Sequence, residues 1–185
     1  MSRHRTDFHY VNRLLATLAL GLAIVAPPAS AADKSSSPQD RARFVSITRA
    51  MADAPLKPTL KADREWALDW LTEAPDVSVT VCADPLNGLV QSNYVYGGEI
   101  LFQYMFSMGA SIIEHPGSAI DRYAQQLAGV EGALAAYQAI LSEKPEAKSP
   151  ALDELLQART QGKLSGFVHK AFDSCMAKEA ESRAS

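Results

Sequence analysis

The sequence is poor in the residues and motifs that most directly identify a function. It has two cysteines in 185 residues, and they do not form a C-x-x-C pair, which argues against a cysteine-based metal site. It contains no G-x-S-x-G serine signature and no phosphate-binding glycine loop. Its four histidines include no pair at the H-x-x-x-H spacing. These absences leave no catalytic signature, and we predict neither a cofactor nor a metal site.

Long apolar runs are also scarce, and the clearest is residues 14–26, LLATLALGLAIVA. Three arginines precede it, and two prolines and a run of small residues follow it. This order predicts a secretory signal peptide over residues 1–31, cleaved after Ala31 or one residue later. A helix over this run would extend about 20 Å, short of the ~30 Å hydrocarbon core of a bilayer. We therefore favour a cleaved signal over a membrane anchor.

Cleavage of that signal would make the remaining chain more acidic. The signal takes three basic residues and one acidic residue from totals of 18 and 21, which leaves a net charge of −5. An acidic chain without a basic cluster is not expected to bind nucleic acid, and no other run suggests stable membrane insertion. We expect an exported protein, periplasmic or extracellular, whose partner is an unknown protein or small molecule.

In an oxidising compartment the two cysteines are expected to form a disulfide. Cys82 and Cys175 are an even pair, which predicts one intramolecular disulfide. Such a bridge would close a loop of roughly 90 residues and stabilise the fold by roughly 4–5 kcal/mol in the chain-entropy model. Two buried free thiols are the alternative.

Hydrophobic periodicity and proline punctuation predict one helix after another, joined by short links. This pattern favours an all-α fold, either a helical bundle or stacked helical hairpins, with about five to six helices. We expect a polar linker at 32–37, a single helical domain over 38–180 and a frayed tail at 181–185. The expected helices run from Pro38 to just before Pro55, over Thr59–Glu73, over Tyr94–Glu114, from Ser118 to about Glu143, from Pro150 to near Gly162, and onward from Leu164.

One stretch does not fit the helical pattern. Residues 76–82, DVSVTVC, alternate apolar and polar side chains with the period of a strand. A single strand cannot satisfy its own backbone, and the sequence offers no convincing partner strand. We interpret this stretch as a short helix or an extended segment held by Cys82.

The helix expected after Ser118 carries a seven-residue apolar repeat. The repeat predicts a seam packed along a long antiparallel neighbour. Gly129 and Gly132 lie within this helix and indicate either a break or a close helix contact. The repeat consists of Ile120, Leu127, Leu134 and Leu141, with Tyr123, Val130 and Tyr137 at the intermediate positions.

The third expected helix carries the candidate site. It is apolar nearly all round, which predicts a central position. Polar residues recur on it every four positions, so they lie roughly on one face. The two carboxylates at its ends are about 22 Å apart along a straight helix and cannot share one site. In the plainer alternative, small residues permit close packing and the carboxylates lie at wetter ends. The candidate ligand-binding residues are Glu99, Gln103, Tyr104, Ser107, Glu114 and His115, with Ser111 on the same seam.

Two resemblances accompany these patterns. The segments WLTEAPDVSVTVC (70–82) and FSMGASIIEHP (106–116) resemble an uncharacterised family of small exported bacterial helical proteins, which implies a helical fold and brings no activity. Ala133, Tyr137 and Pro145 resemble the second helix of a tetratricopeptide repeat, with Ile140 at a normally small position. That likeness covers one helix, without the first-helix signature or a second copy.

These observations lead to three hypotheses about function. The first is an exported helical protein that acts as a non-catalytic binding or interaction module. The alternative is a small hydrolase-like enzyme that uses a carboxylate of the third helix, and a structural or assembly role is the third. A surface cleft that reaches Glu99 or Gln103 would favour binding or catalysis over a scaffold.

Overall fold

A computed structural model describes residues 36–184, and this part of the chain is all-α, as the periodicity predicts. No strand occurs among these residues. The predicted signal peptide at 1–31 and most of the linker at 32–37 lie outside them. Within the same range, no helix is both long and apolar enough to cross a bilayer. The described residues form six α-helices: α1 Pro38–Asp53, α2 Lys61–Glu73, α3 Gly97–Glu114, α4 Arg122–Glu143, α5 Pro150–Thr160 and α6 Leu164–Ala184.

Capping residues and prolines set the helix starts. At α1 the Ser37 hydroxyl accepts the backbone N–H of Asp40 at 3.0 Å, with Pro38 in the first turn, as predicted. At α4 the predicted start at Ser118 is wrong. A 3-10 turn spans Pro116–Ser118, and Asp121 is the N-cap, accepting the first free N–H groups of the helix.

Helix α3 lies between two clusters of buried side chains, which explains why it is apolar nearly all round. One face of α3 packs against α1 and α2, and the opposite face packs mainly against α4. The N-terminal cluster comprises Phe44, Val45, Ile47, Met51, Ala67, Leu71, Val77, Phe106, Ala110 and Ile112. The C-terminal cluster comprises Leu86, Leu89, Ile100, Tyr104, Met108, Val130, Ala133, Leu134, Ala136, Tyr137, Ile140, Leu152, Leu155, Leu164 and Val168.

The two glycines of α4 lie in close contact with side chains of α3. A Cβ at Gly129 would lie 2.7 Å from the ring of Tyr104, and one at Gly132 would lie 1.8 Å from the Ser107 hydroxyl. Helix α4 runs unbroken through both positions, so close contact is the correct alternative. The apolar repeat is buried at Leu134 but fails at its first member, because Ile120 precedes the helix and is 93% exposed.

Side chains provide hydrogen bonds to the backbone carbonyls of the irregular segment 76–82, which has no partner strand among residues 36–184. Gln126 Nε2 donates to the carbonyl of Thr80 at 2.7 Å, and the Tyr104 hydroxyl donates to the carbonyl of Cys82 at 2.8 Å. Cys82 forms the predicted disulfide with Cys175 of α6, 93 positions away. The segment is therefore an irregular connection, neither helix nor strand, that is bonded to α3, α4 and α6.

A buried tyrosine joins α4 to the start of α5. The Tyr137 hydroxyl accepts the backbone N–H of Ser149 at 2.8 Å and donates to the Asp153 carboxylate at 2.8 Å. Burial raises the pKa of Tyr137 to about 12, and the bond to Asp153 acts in the same direction against the opposing bond from Ser149. Through this hydroxyl, one side chain of α4 holds the N-cap residue and the first turn of α5.

The beginning of α1 is tied to the segment that follows α2. The backbone N–H of Ser36 lies 3.1 Å from each carboxylate oxygen of Asp76, and Arg41 forms an ion pair with the same carboxylate. Burial alone would raise the pKa of Asp76. The hydrogen bonds from Ser36 and Arg41 outweigh burial and hold that pKa below its ordinary value.

Candidate functional site

A cleft of about 320 Å³ lies where α1, α3 and α4 meet. Helix α3 contributes polar groups, among them Gln103, Ser107 and Ser111. Ala52 of α1 and Ala128 of α4 also line the cleft and are small enough to leave it open. The glycine contact that brings α4 against Ser107 also sets the spacing of the two helices beside the cleft.

The structure brings together four of the six candidate residues. Gln103, Ser107, Glu114 and His115 line the cleft, together with Ser111 from the same four-residue seam. The other two lie elsewhere. Glu99 is in the first turn of α3, where the helix dipole favours a carboxylate. Tyr104 is 0% exposed, and its hydroxyl lies against the carbonyl of Cys82 and the side-chain oxygen of Gln126.

Gln103 is the most unusual side chain of the cleft. Its residue surface is 1% exposed, and its Nε2 donates to the carbonyl of Thr48 at 3.1 Å and to the Ser107 hydroxyl at 3.0 Å. Because a carbonyl only accepts, the bond to Thr48 fixes which end of the amide is nitrogen. The other end, Oε1, is buried and has no hydrogen-bond partner in the described part of the protein.

The hydroxyl groups beside Gln103 differ in what they can still do. The Thr48 hydroxyl donates to the carbonyl of Phe44 at 2.9 Å, so its hydrogen is already engaged. The Ser107 hydroxyl accepts from Gln103, and no bond within residues 36–184 uses its own hydrogen. A serine hydroxyl has one hydrogen to donate. The Gln103–Ser107 pair therefore keeps one unused acceptor, Gln103 Oε1, and one unused donor, Ser107 Oγ–H.

Both carboxylates that line the cleft are paired with arginine. Glu114 forms an ion pair with Arg49 of α1, and Glu131 lies 3.3 Å from Arg159 of α5. His115, at the C-cap of α3, is exposed, and its Nδ1 lies 3.3 Å from the carbonyl of Ser111. Both lining carboxylates are thus engaged, and the hydroxyl and amide side chains between them are neutral.

Sequence reasoning missed the parts of the cleft that α1 and α4 supply. The Thr48 carbonyl is a backbone group, so its residue type gives no signal. Ala52 and Ala128 read as ordinary helix residues. Gly132 was the one useful signal, because a glycine inside a long helix indicates that a neighbour comes close.

A second polar cluster lies on the surface of α4 and α6, away from the cleft. The rings of Tyr123 and His169 stack 3.8 Å apart, and Asp173 accepts from the Tyr123 hydroxyl at 2.7 Å and lies 3.2 Å from His169 Nδ1. All three side chains are exposed. Across residues 36–184, no three His, Cys, Asp or Glu side chains are placed to hold a metal ion.

No protein-family model, no curated protein and no solved structure matches this chain.

Proposed function

We propose that the protein is an exported, non-catalytic binding protein that takes a small molecule in the cleft between α1, α3 and α4. The observation that carries the proposal is the convergence of Gln103, Ser107, Glu114 and His115 on one cleft that small side chains keep open. Its volume of about 320 Å³ falls at the lower end of ligand pockets, which span roughly 300–1,000 Å³. A small, compact ligand fits this size.

The surroundings of the two α3 carboxylates favour binding over the hydrolase-like alternative. Glu114 is engaged with Arg49, and Glu99 lies outside the cleft. A general acid or base must reach the proton that it transfers, and among residues 36–184 neither carboxylate forms a hydrogen bond with Gln103 or Ser107. The proposal therefore assigns the cleft to recognition.

Two features support export. Residues 1–31 have the charge, apolar run and small-residue ending of a signal peptide. The Cys82–Cys175 disulfide is a bond that persists in oxidising compartments and is rare in reducing ones. Expression of the full chain with a C-terminal tag, followed by cell fractionation and mass measurement, tests this part. Full-length protein retained in the cytoplasm would contradict it.

A variant that fills the cleft tests the binding site. Ala128 lines the cleft, whereas Ala135 is exposed on the same helix, so Ala128→Leu and Ala135→Leu form a matched pair. The probes are benzamide, benzyl alcohol, benzoate and benzylammonium, which share a ring and differ in their polar group. Saturation-transfer NMR on the exported protein should detect at least one probe. Ala128→Leu should weaken that binding at least tenfold, whereas Ala135→Leu should leave it unchanged.

Either of two results would reject the cleft as a ligand site. One is the absence of binding by all four probes to the wild-type protein. The other is equal binding to the wild type and Ala128→Leu, provided that thermal unfolding shows both variants folded.

A further inference from the structure

The cleft has a polar pair whose hydrogen-bonding capacity is half used. Gln103 donates its two amide hydrogens to the Thr48 carbonyl and the Ser107 hydroxyl, and its Oε1 is buried without a donor in the described part of the chain. A buried carbonyl oxygen is almost always hydrogen-bonded in a folded protein, because leaving it dry is unfavourable. We therefore expect this oxygen to accept a hydrogen bond from a group outside the chain.

The donor of the pair lies next to its acceptor. Ser107 Oγ is 3.0 Å from Gln103 Nε2, on the same amide group as the unpaired Oε1. The Gly132 backbone packs against Ser107, which restricts the space into which the serine side chain could turn. The two groups are thus held beside each other by α3 and α4.

We infer that, if the cleft binds a small molecule as proposed above, the polar end of that molecule is a carboxamide. Its N–H would donate to Gln103 Oε1, and its carbonyl would accept the hydrogen of Ser107 Oγ. A carboxylate has no donor for Gln103, and an ammonium group has no acceptor for Ser107. An alcohol carries both functions on a single oxygen and ranks second.

The charges around the cleft favour the same neutral group. Glu114 and Glu131 are each paired with an arginine, so neither is an unengaged counterion for a cationic ligand. Arg49, which also lines the cleft, is engaged by Glu114, and the Nδ1 of His115 lies 3.3 Å from the carbonyl of Ser111. A charged head group would lose its hydration without gaining a partner, whereas a carboxamide exchanges its water for two hydrogen bonds.

The four ring probes test this inference by titration of the ¹⁵N-labelled exported protein. Benzamide should bind roughly tenfold more tightly than benzoate or benzylammonium and shift the side-chain NH₂ signals of Gln103. Ser107→Ala should weaken benzamide roughly three- to tenfold, in the range of one lost hydrogen bond. Ser142→Ala is the matched control, because Ser142 is exposed on α4 and does not line the cleft, and it should leave benzamide binding unchanged.

Gln103→Met gives a second arm and should remove the preference for benzamide over the other probes. Because Gln103 also ties α3 to α1, this variant is used only after circular dichroism and thermal unfolding show that it folds. Ser107→Ala tests the inference in either case, since it leaves the Gln103–Thr48 bond in place.

The outcomes separate the inference from the proposed function. If all four probes fail to bind, the small-molecule function is wrong. If probes bind and Ala128→Leu blocks them, but benzoate or benzylammonium binds as tightly as benzamide, the function stands and the carboxamide assignment is overturned. Equal benzamide affinity in Ser107→Ala and the wild type would also overturn it.

Discussion

The two faces of α3 pack against clusters built on different principles. In the N-terminal cluster the ring of Phe44 lies 4.7 Å from that of Trp70 and 5.6 Å from that of Phe106, so tilted and edge-on rings supply the contact. In the C-terminal cluster, buried tyrosines bond to the backbone through their hydroxyls, and a disulfide lies nearby. Ring packing tolerates small shifts, whereas hydroxyl bonds and a covalent bridge depend on single atoms.

The chain also provides a separate optical probe for each cluster. Its two tryptophans, Trp66 and Trp70, pack in the N-terminal cluster. Tyr94, Tyr96, Tyr104 and Tyr137 belong to the C-terminal cluster or pack against it. Tryptophan fluorescence therefore reports on one side of α3 and tyrosine absorbance mainly on the other.

Removal of the disulfide should have the largest effect. Cys82→Ser with Cys175→Ser opens a loop of 93 positions, and we expect the free energy of unfolding to fall by about 4–5 kcal/mol in urea titrations. Hydrogen exchange should accelerate more in α6 than in α1, because the bond anchors α6. Equal acceleration in both helices would show that the two clusters do not differ in this respect.

Removal of the buried Tyr137 hydroxyl should give the second largest loss in the free energy of unfolding. Tyr137→Phe leaves the buried N–H of Ser149 without its acceptor, and we expect a loss of about 1–3 kcal/mol in the free energy of unfolding. Tyr123→Phe removes the same atom from an exposed bond to Asp173 and is the control, with an expected loss below about 1 kcal/mol. Similar losses in the two variants would contradict the role given to the buried network.

The same hydroxyl makes the C-terminal cluster sensitive to alkali. The pKa of Tyr137 is raised to about 12, above its ordinary value of 10. A raised pKa means that the folded state retains the proton, so the contribution of Tyr137 is complete below pH 10 and is lost as pH rises through 12. Alkaline unfolding should be shallower in Tyr137→Phe than in the wild type over this range.

A smaller effect should come from filling the space between helices. Gly132→Ala places its Cβ 1.8 Å from Ser107 Oγ, whereas Gly109→Ala on α3 meets Leu71 and the ring of Phe44 at 3.0 Å. Overpacking opposes the gain in helix propensity, which leaves a net loss of about 1–2 kcal/mol for Gly132→Ala and a value near zero for Gly109→Ala. Urea titrations measure both. If Gly109→Ala lost more stability than Gly132→Ala, the face of α3 that packs against α1 and α2 would be the less tolerant of added volume, contrary to our expectation.

The smallest effect concerns the ion pair at the start of α1. Asp76→Asn should lower the free energy of unfolding by less than about 1 kcal/mol at neutral pH. Because the pKa of Asp76 is lowered in the folded state, its contribution is present above the unfolded value and is lost as pH falls through the folded one. Wild type and variant should therefore converge in acid, as followed by tryptophan fluorescence. A constant difference at every pH would contradict this assignment.

The helices could be predicted because their signals are local. Ser37, Pro38 and Pro75 bound α1 and α2 much as the sequence indicates. The start of α3 was placed three residues early, at Tyr94. Asn93 has a positive φ of 53°, and residues 94–96 form a turn before Gly97 begins the helix. Segment 76–82 could not be settled, because Gln126 and Tyr104, which satisfy it, are distant in the chain.

The candidate site was predictable along one helix and not across helices. The four-residue spacing placed Gln103, Ser107 and Ser111 on one face, and the structure places all three in the cleft. The same spacing included Glu99, which lies one turn beyond the cleft, since periodicity gives a direction around the axis and not a depth along it. The pairing of Glu114 with Arg49 joins positions 65 apart and leaves no local pattern.

Because α3 belongs to both clusters, we expect that neither half of the fold is stable as a separate fragment. A fragment ending after α3 would expose Ile100, Tyr104 and Met108, and one beginning at α3 would expose Phe106, Ala110 and Ile112. Gene fusion or exchange at the turns around α3 would therefore give chains with a large bare apolar face. Recombination should preserve residues 38–184 as a block, and new variants should arise by substitution and by insertion in the exposed links.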